Sequence, residues 1–211
     1  MKKRVIEVTS LLDEYYGHED KCYLNYNHDK PYELLIATIL SAQCTDDRVN
    51  IVTQDLFKKY RGLDDFAEAE LLELEQDIRP TGFFRNKSKN IIMTSKRLID
   101  VYGGELPSSI EELTSLAGVG RKTANVVRTH IYNIPSIVVD THVKRFSNKI
   151  GLVSLDNPTK IEFELMKLLP REHWSRYNTQ VIAHGRKICK ARSPKCNVCF
   201  MNYFCKYFNE I

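Results

Sequence analysis

The sequence has no long apolar run. Its longest, such as Leu34-Leu35-Ile36-Ala37, fall far short of the ~20 residues that a membrane-spanning helix needs. The basic start, Met1-Lys2-Lys3-Arg4, is not followed by the apolar stretch of a signal peptide, so the protein is expected to stay in the compartment where it is made. Low-complexity segments, long linkers and repeats of fixed period are also missing, which argues against solenoids and tethered tails. Strand patterning is nearly absent, because the one strand-like run, Ile137-Val138-Val139, is too short to build a sheet. Cysteine is scarce, at six in 211 residues, and is not dispersed as it would be in a secreted disulfide scaffold.

What is present is helical periodicity. Segments near 4–16, 32–43, 46–60, 65–77, 87–102, 109–116, 121–132, 141–150, 158–169 and 173–187 fit amphipathic helices. Pro31 stands at a helix start, Thr45-Asp46-Asp47 reads as an N-terminal signal, and Gly103-Gly104 and Gly151 read as stops. The fold class is therefore all-α, with short connections. The chain divides into a helical domain of roughly 22–133 and a second lobe from 134–211; periodicity alone leaves the N-terminal helix free to join either. Charge is uneven. Residues 121–211 hold 16 Lys and Arg against 6 Asp and Glu, and residues 1–120 hold 15 against 21. A basic half suits a phosphate backbone, and equally suits a solvated face.

Three constellations carry chemistry. The first is Leu116-Ala117-Gly118-Val119-Gly120-Arg121-Lys122-Thr123-Ala124, where one helix runs into Gly-Val-Gly and another begins at once. Glycine N–H groups and a new helix N-terminus make a cradle for a phosphate; a tight αα-corner with no ligand has the same pattern. The second is Lys122 with Asp140. The positive end of a helix dipole and the neighbouring Arg121 disfavour an ammonium at 122, which suits an amine nucleophile. Asp140, between the apolar run and Thr141-His142-Val143, also suits a plain helix N-cap. The third is Cys189-x6-Cys196-x2-Cys199-x5-Cys205. Four cysteines within 17 residues can close around one metal centre, and flanking spacings of six and five fit a larger object than a zinc ribbon. Lys190, Arg192 and Lys195 add positive charge to the first loop.

Taken together, the chain resembles the endonuclease III branch of the helix–hairpin–helix DNA glycosylases. The anchors run in order along nearly the whole sequence: Leu-Ser-Ala-Gln-Cys-Thr-Asp (40–46), Thr-Gly-Phe-Phe-Arg-Asn-Lys (81–87), Gly-Val-Gly-Arg-Lys-Thr-Ala-Asn-Val-Val (118–127), Val-Asp-Thr-His-Val (139–143) and the four cysteines. The resemblance implies two helical lobes with a DNA-binding cleft between them, residues 1–21 packing with 134–211. It implies a 4Fe–4S cluster on Cys189, Cys196, Cys199 and Cys205 that shapes a DNA-contacting loop. Lys122 matches the family's nucleophile and Asp140 its essential carboxylate. Gln43 matches the residue that fills the space of a flipped nucleotide, and Phe83 sits where the family carries an apolar wedge. Gly118, Val119, Gly120 and Arg121, with Lys190, Arg192 and Lys195, are the expected DNA contacts. The implied activity is base-excision repair: removal of oxidised or damaged pyrimidines from double-stranded DNA through a lysine Schiff base, followed by β-elimination at the abasic site. A monomer without membrane attachment, in a prokaryotic cytoplasm and associated with the nucleoid, is expected.

Three positions depart from the family pattern. Ala117 stands where proline is usual, Phe83-Phe84 is bulkier than an aliphatic wedge, and Cys44, which reads as a packed thiol, replaces a small residue. Two other functions share some features. A monofunctional adenine glycosylase would carry a catalytic Glu on the helix before Gln43, but Tyr32–Leu40 has no acid in its C-terminal half. A DNA-binding module with structural zinc would explain the hairpin and the cysteines, but not the pairing of Lys122 with Asp140.

Overall fold

The computed structural model describes residues 2–210, and among them it holds α-helices, short 3-10 turns and no strand. In chain order the helices are α1 (Lys2–Tyr16), α2 (Tyr32–Leu40), α3 (Asp46–Lys59), α4 (Leu63–Ala67), α5 (Leu71–Asp77), α6 (Phe84–Tyr102), α7 (Ile110–Thr114), α8 (Arg121–Tyr132), α9 (Thr141–Lys149), α10 (Pro158–Leu168), α11 (Trp174–Lys187) and α12 (Lys206–Asn209). No helix among these residues is long and apolar enough to cross a membrane. The chain forms two compact units, Cys22–Ile134 and Met1–Lys21 with Pro135–Ile211.

In the unit Cys22–Ile134, α2 is the central element. Eight of its nine residues are buried, so it is covered all round rather than on one face as its periodicity suggests. It packs on α3, α6 and α8. Leu34, Leu35, Ile36, Leu40, Ile91, Leu98, Leu113 and Val127 form the core around it, each fully buried aliphatic side chain contributing about 1.5–3 kcal/mol. Two expected boundaries shift. The helix foreseen over 32–43 ends at Leu40, because the chain turns through Ser41 to a left-handed Gln43 with φ 55°. The segment 65–77 is two helices, since Glu70 leaves the helical region to cap α5 by accepting the Glu73 N–H.

In the other unit, α11 is central. It packs against α1 and α9, and its Tyr177 and Val181 join Val8, Leu12, Val143, Phe146, Ile161 and Leu165 in a second core. Ile137-Val138-Val139 is a buried segment outside any helix, held from α11, where the Asn178 amide donates to the Val138 carbonyl at 2.9 Å. Asp13 of α1 accepts from Arg176 through both oxygens, at 2.9 and 3.1 Å, and from Gln180 at 2.8 Å. Burial raises the Asp13 pKa, but these donors outweigh it and hold the carboxyl below its ordinary value.

Candidate functional site

The hairpin between α7 and α8 is braced from α6. Gly118 has φ +74°, and a Cβ there would meet Asn90 Nδ2 at 2.7 Å, so only glycine fits both the backbone and the space. Thr94 Oγ1 donates to the Ala117 carbonyl at 2.8 Å, which pins the turn at the position where proline was expected to stiffen it. Val119 turns its side chain into the core and its N–H onto the Leu116 carbonyl at 3.2 Å, so its own part is to anchor the turn. Gly118 and Gly120 stay exposed. Gly120 is the N-cap of α8 and, having no side chain, makes no side-chain cap bond, so the positive end of the helix dipole lies at the hairpin. Arg121 and Lys122 are the first two residues of α8; Arg121 is half-buried and Lys122 exposed.

Asp140 belongs to the other unit. It caps α9, its Oδ1 accepting the Val143 N–H at 2.8 Å. That bond uses one carboxylate lone pair and fixes the side chain on a helix N-terminus, leaving the second oxygen to other work. Arg145, a turn along α9, donates from Nε to the Cys189 carbonyl at 3.0 Å and thereby ties the helix to the cysteine loop.

The four cysteines are brought together. Cys189, Cys196, Cys199 and Cys205 are half-buried, unbridged, and line one cavity with His184 and Phe146. No carboxylate lines it, so the donor set is sulfur, the choice of thiophilic metals and iron–sulfur clusters. Among the described residues no group of three or more His, Cys, Asp or Glu could hold a single metal ion. The thiols instead share a common space. Burial pushes Cys199 up to about 11 and raises Cys189 as well, with Lys149 and Arg145 opposing it at Cys189. Four sulfur donors lining one cavity fit an iron–sulfur cluster, whose cationic irons draw thiols to the thiolate form. His184 is 1% exposed, is pushed down to about 4 by burial, and bridges Tyr16 Oη at 3.0 Å and Cys199 Sγ at 3.7 Å. Lys190, Arg192 and Lys195 are all exposed on the loop that joins the first two cysteines.

Gln43 and Phe83 lie in the unit Cys22–Ile134. Both are exposed, and both adopt left-handed backbone, which non-glycine residues rarely do. Phe83 is 61% exposed, whereas Phe84 packs on the core with the Arg79 and Arg85 guanidiniums over its ring. Of the two aromatic residues, then, one projects and the other anchors. Cys44 packs against the same core as a free thiol.

Some residues of this machinery are not marked by any sequence pattern. Asn90 and Thr94 behind the hairpin, Lys87 beneath the Gln43 and Phe83 loops, and His184 behind the cysteines are ordinary residues on helical faces until the fold places them. The only available signal was that a polar side chain fell on a buried helical stripe.

The model for the HhH-GPD superfamily of base excision DNA repair proteins matches residues 36–171, and that for the iron–sulfur binding domain of endonuclease III matches residues 189–205. Endonuclease III of Synechocystis sp. is 44% identical over 205 residues, covering 97% of this chain and 92% of that protein. Endonuclease III of Bacillus subtilis is 47% identical over 180 residues, covering 85% and 82%. A non-covalent endonuclease III–DNA complex and a trapped endonuclease III–DNA covalent intermediate both superpose with a TM-score of 0.94 at 43% identity. They cover 100% of this chain and 97% and 98% of those chains. A thermostable thymine-DNA glycosylase, 22% identical, shares the fold with a TM-score of 0.84, covering 99% of this chain and 98% of its own. The chain is thus a helix–hairpin–helix protein of base excision DNA repair. It belongs to the endonuclease III family, and it carries an iron–sulfur cluster, of the 4Fe–4S type in this family.

Proposed function

We propose that this chain excises damaged pyrimidines from double-stranded DNA and cuts the abasic strand, with Lys122 as nucleophile and Asp140 as the essential carboxylate. It is a bifunctional DNA glycosylase and abasic-site lyase. The observation that carries the assignment of roles is an exposed amine two residues past Gly120, in the first turn of the helix that follows the braced hairpin. Gly118, Gly120 and the α8 N-terminus, with Val119 anchoring the turn and Arg121 beside it, grip a backbone phosphate without reading sequence. Gln43 and Phe83 enter the duplex as the lesion swings out, and a damaged base is cheaper to unstack than a sound one. Lys122 Nζ then attacks C1′ while the bond from C1′ to the base breaks, and the base leaves with that electron pair and takes up a proton. Asp140 stabilises the positive charge developing on the sugar and helps the amine lose its proton. The amine loses its remaining protons as the sugar ring opens, giving an imine. Loss of a C2′ proton then expels the 3′ phosphate and cuts the strand.

Cys189, Cys196, Cys199 and Cys205 would hold the 4Fe–4S cluster. When bound, the cluster fixes the shape of the loop through which Lys190, Arg192 and Lys195 meet phosphates. Residues 22–133 form the hairpin domain in this reading, and residues 1–21 with 134–211 form the cluster domain. The protein acts as a monomer in a prokaryotic cytoplasm, on the nucleoid.

Borohydride added during turnover tests the nucleophile. One protein molecule should be trapped on the damaged strand, and peptide mapping should place the link at Lys122. Lys122→Ala should bind lesion DNA yet lose trapping and nicking by ~10³-fold or more. Lys122→Arg should fail as well, since a guanidinium stays protonated. Normal trapping by Lys122→Ala would identify another amine, and base removal without trapping by the unaltered protein would make it monofunctional. Asp140→Asn keeps an acceptor for the Val143 N–H, so it should preserve the fold and DNA binding but lose most base removal. Full activity in that variant would reduce Asp140 to a helix cap.

A further inference from the structure

Lys87 is buried, at 4% exposure, on a face of α6 whose other buried residues, Ser88, Ile91, Thr94, Ser95 and Leu98, carry no charge. Lysine almost never takes such a place without partners. Here Nζ donates to the Leu40 carbonyl at 2.8 Å and to the Thr81 carbonyl at 2.8 Å. Leu40 is the last residue of α2, so its carbonyl belongs to the negative end of that helix, where a cation is favoured. Thr81 ends the 3-10 turn Arg79–Thr81, which is further tied by its own hydroxyl to the Ile78 carbonyl at 2.8 Å. Gln43 follows Leu40 by three residues and Phe83 follows Thr81 by two. Gln43 has φ 55° and Phe83 φ 48°, so each loop tip is held in left-handed backbone just beyond a lysine-bound carbonyl.

Left-handed backbone at non-glycine residues is disfavoured and persists only where neighbouring structure enforces it. One ammonium is bonded at the base of both loops. Burial lowers the Lys87 pKa, as expected of a cation held for its geometry inside a core, and the Cys44 thiol beside Gln43 lies within its electrostatic reach. An apolar side chain would satisfy the core but would leave the Leu40 and Thr81 carbonyls without their lysine donor and the two loops free to move separately.

We propose that Lys87 is a positioning residue for lesion extrusion: by gripping the Leu40 and Thr81 carbonyls together, it couples the Gln43 loop to the Phe83 loop, so that both side chains enter the duplex as one rigid wedge. This rests on the assignment of Gln43 and Phe83 to extrusion made above.

The test uses single-turnover cutting of two duplexes, one with thymine glycol opposite adenine and one with an abasic site at the same position. The proteins compared are the unaltered enzyme, Gln43→Ala, Lys87→Met and the double variant. Lys87→Met should slow the paired lesion about tenfold and slow the abasic site much less, because a misplaced wedge hurts the step that must break pairing. The double variant should be no slower than the slower single variant, since Lys87 acts through the same insertion. Equal slowing of both substrates by Lys87→Met, or multiplicative losses in the double variant, would overturn the coupling and leave an ordinary structural lysine. Equal slowing of both substrates by Gln43→Ala would instead overturn the extrusion role of Gln43 itself. Should Lys87→Met fail to fold, Lys87→Gln, which keeps one amide donor, is judged by the same ratio of substrates.

Discussion

The unit Cys22–Ile134 closes over α2, a helix buried on eight of nine residues, and its loops are tied by hydrogen bonds to backbone carbonyls from Lys87 and Thr94. The unit of residues 1–21 and 135–211 begins in the same manner around α11, yet past Lys187 its longest regular element is the four-residue α12. Apolar burial defines the first unit to its edges. In the second it defines α1, α9, α10 and α11, and then gives way to a loop whose common feature is four thiols around one cavity. The difference is between two ways for a small helical protein to hold its loops: by a core that reaches them, or by a prosthetic group where the core runs out.

The largest effect should come from removing that group. Cys199→Ser, or stripping iron with a chelator, should raise amide hydrogen exchange over residues 189–210 by about 10²-fold or more, while amides of Cys22–Ile134 keep their protection. Hydrogen-exchange mass spectrometry of the whole chain reads both units at once. Equal loss of protection in the two units would erase the distinction.

A smaller effect should come from the hairpin in the core-supported unit. Gly118→Ala forces a Cβ into a left-handed site and against Asn90, and should cost about 3 kcal/mol in thermal or denaturant unfolding. If the hairpin grips backbone phosphate as proposed, the substitution should also weaken binding to duplexes of every sequence alike. A variant with normal stability would mean that Asn90 yields freely and that the hairpin is softer than its packing suggests.

The smallest effect should be electrostatic, in the other unit. Arg176→Met removes the two-point partner of Asp13 and should cost about 2 kcal/mol at neutral pH. Because the folded pKa of Asp13 lies below the ordinary 3.8, the pair stabilises fully above that value and loses its contribution as pH falls through the folded pKa. The gap between the unaltered protein and the variant should therefore close in acid. A gap that persisted unchanged after Asp13 is protonated in the folded protein, as followed by its carboxyl signal in NMR, would assign the loss to packing of the Arg176 side chain.

The all-α class was legible because α1, α3, α6 and α8–α11 each carry a 3.6-residue stripe, and the signal Thr45 before α3 marks a true cap. The end of α2 was not, because apolar residues that stay buried and apolar residues that turn away look alike until Ser41 and Gln43 are placed. The cysteine loop and the hairpin announced themselves by local spacing, as sites built from contiguous sequence do. Lys87 and His184 could not, since their partners lie 47 residues back at Leu40 and 168 residues back at Tyr16. Contacts of that separation leave no periodic trace, and a buried lysine is written in the same letter as a solvated one.

The discontinuity of the second unit bears on how the chain is made. The apolar face of α1, with Val5, Val8 and Leu12, is completed by α11, which begins at Trp174. At ~5–20 residues per second of synthesis, α1 leaves the ribosome roughly 8–30 s before its partner exists. Cys22–Ile134 is contiguous and is complete before α11 begins, so it can fold while an amphipathic nascent helix waits with its greasy side uncovered. A chaperone that shields short amphipathic N-termini, or a slow stretch of translation placed after residue 134, would act on this protein at that moment and at no later one.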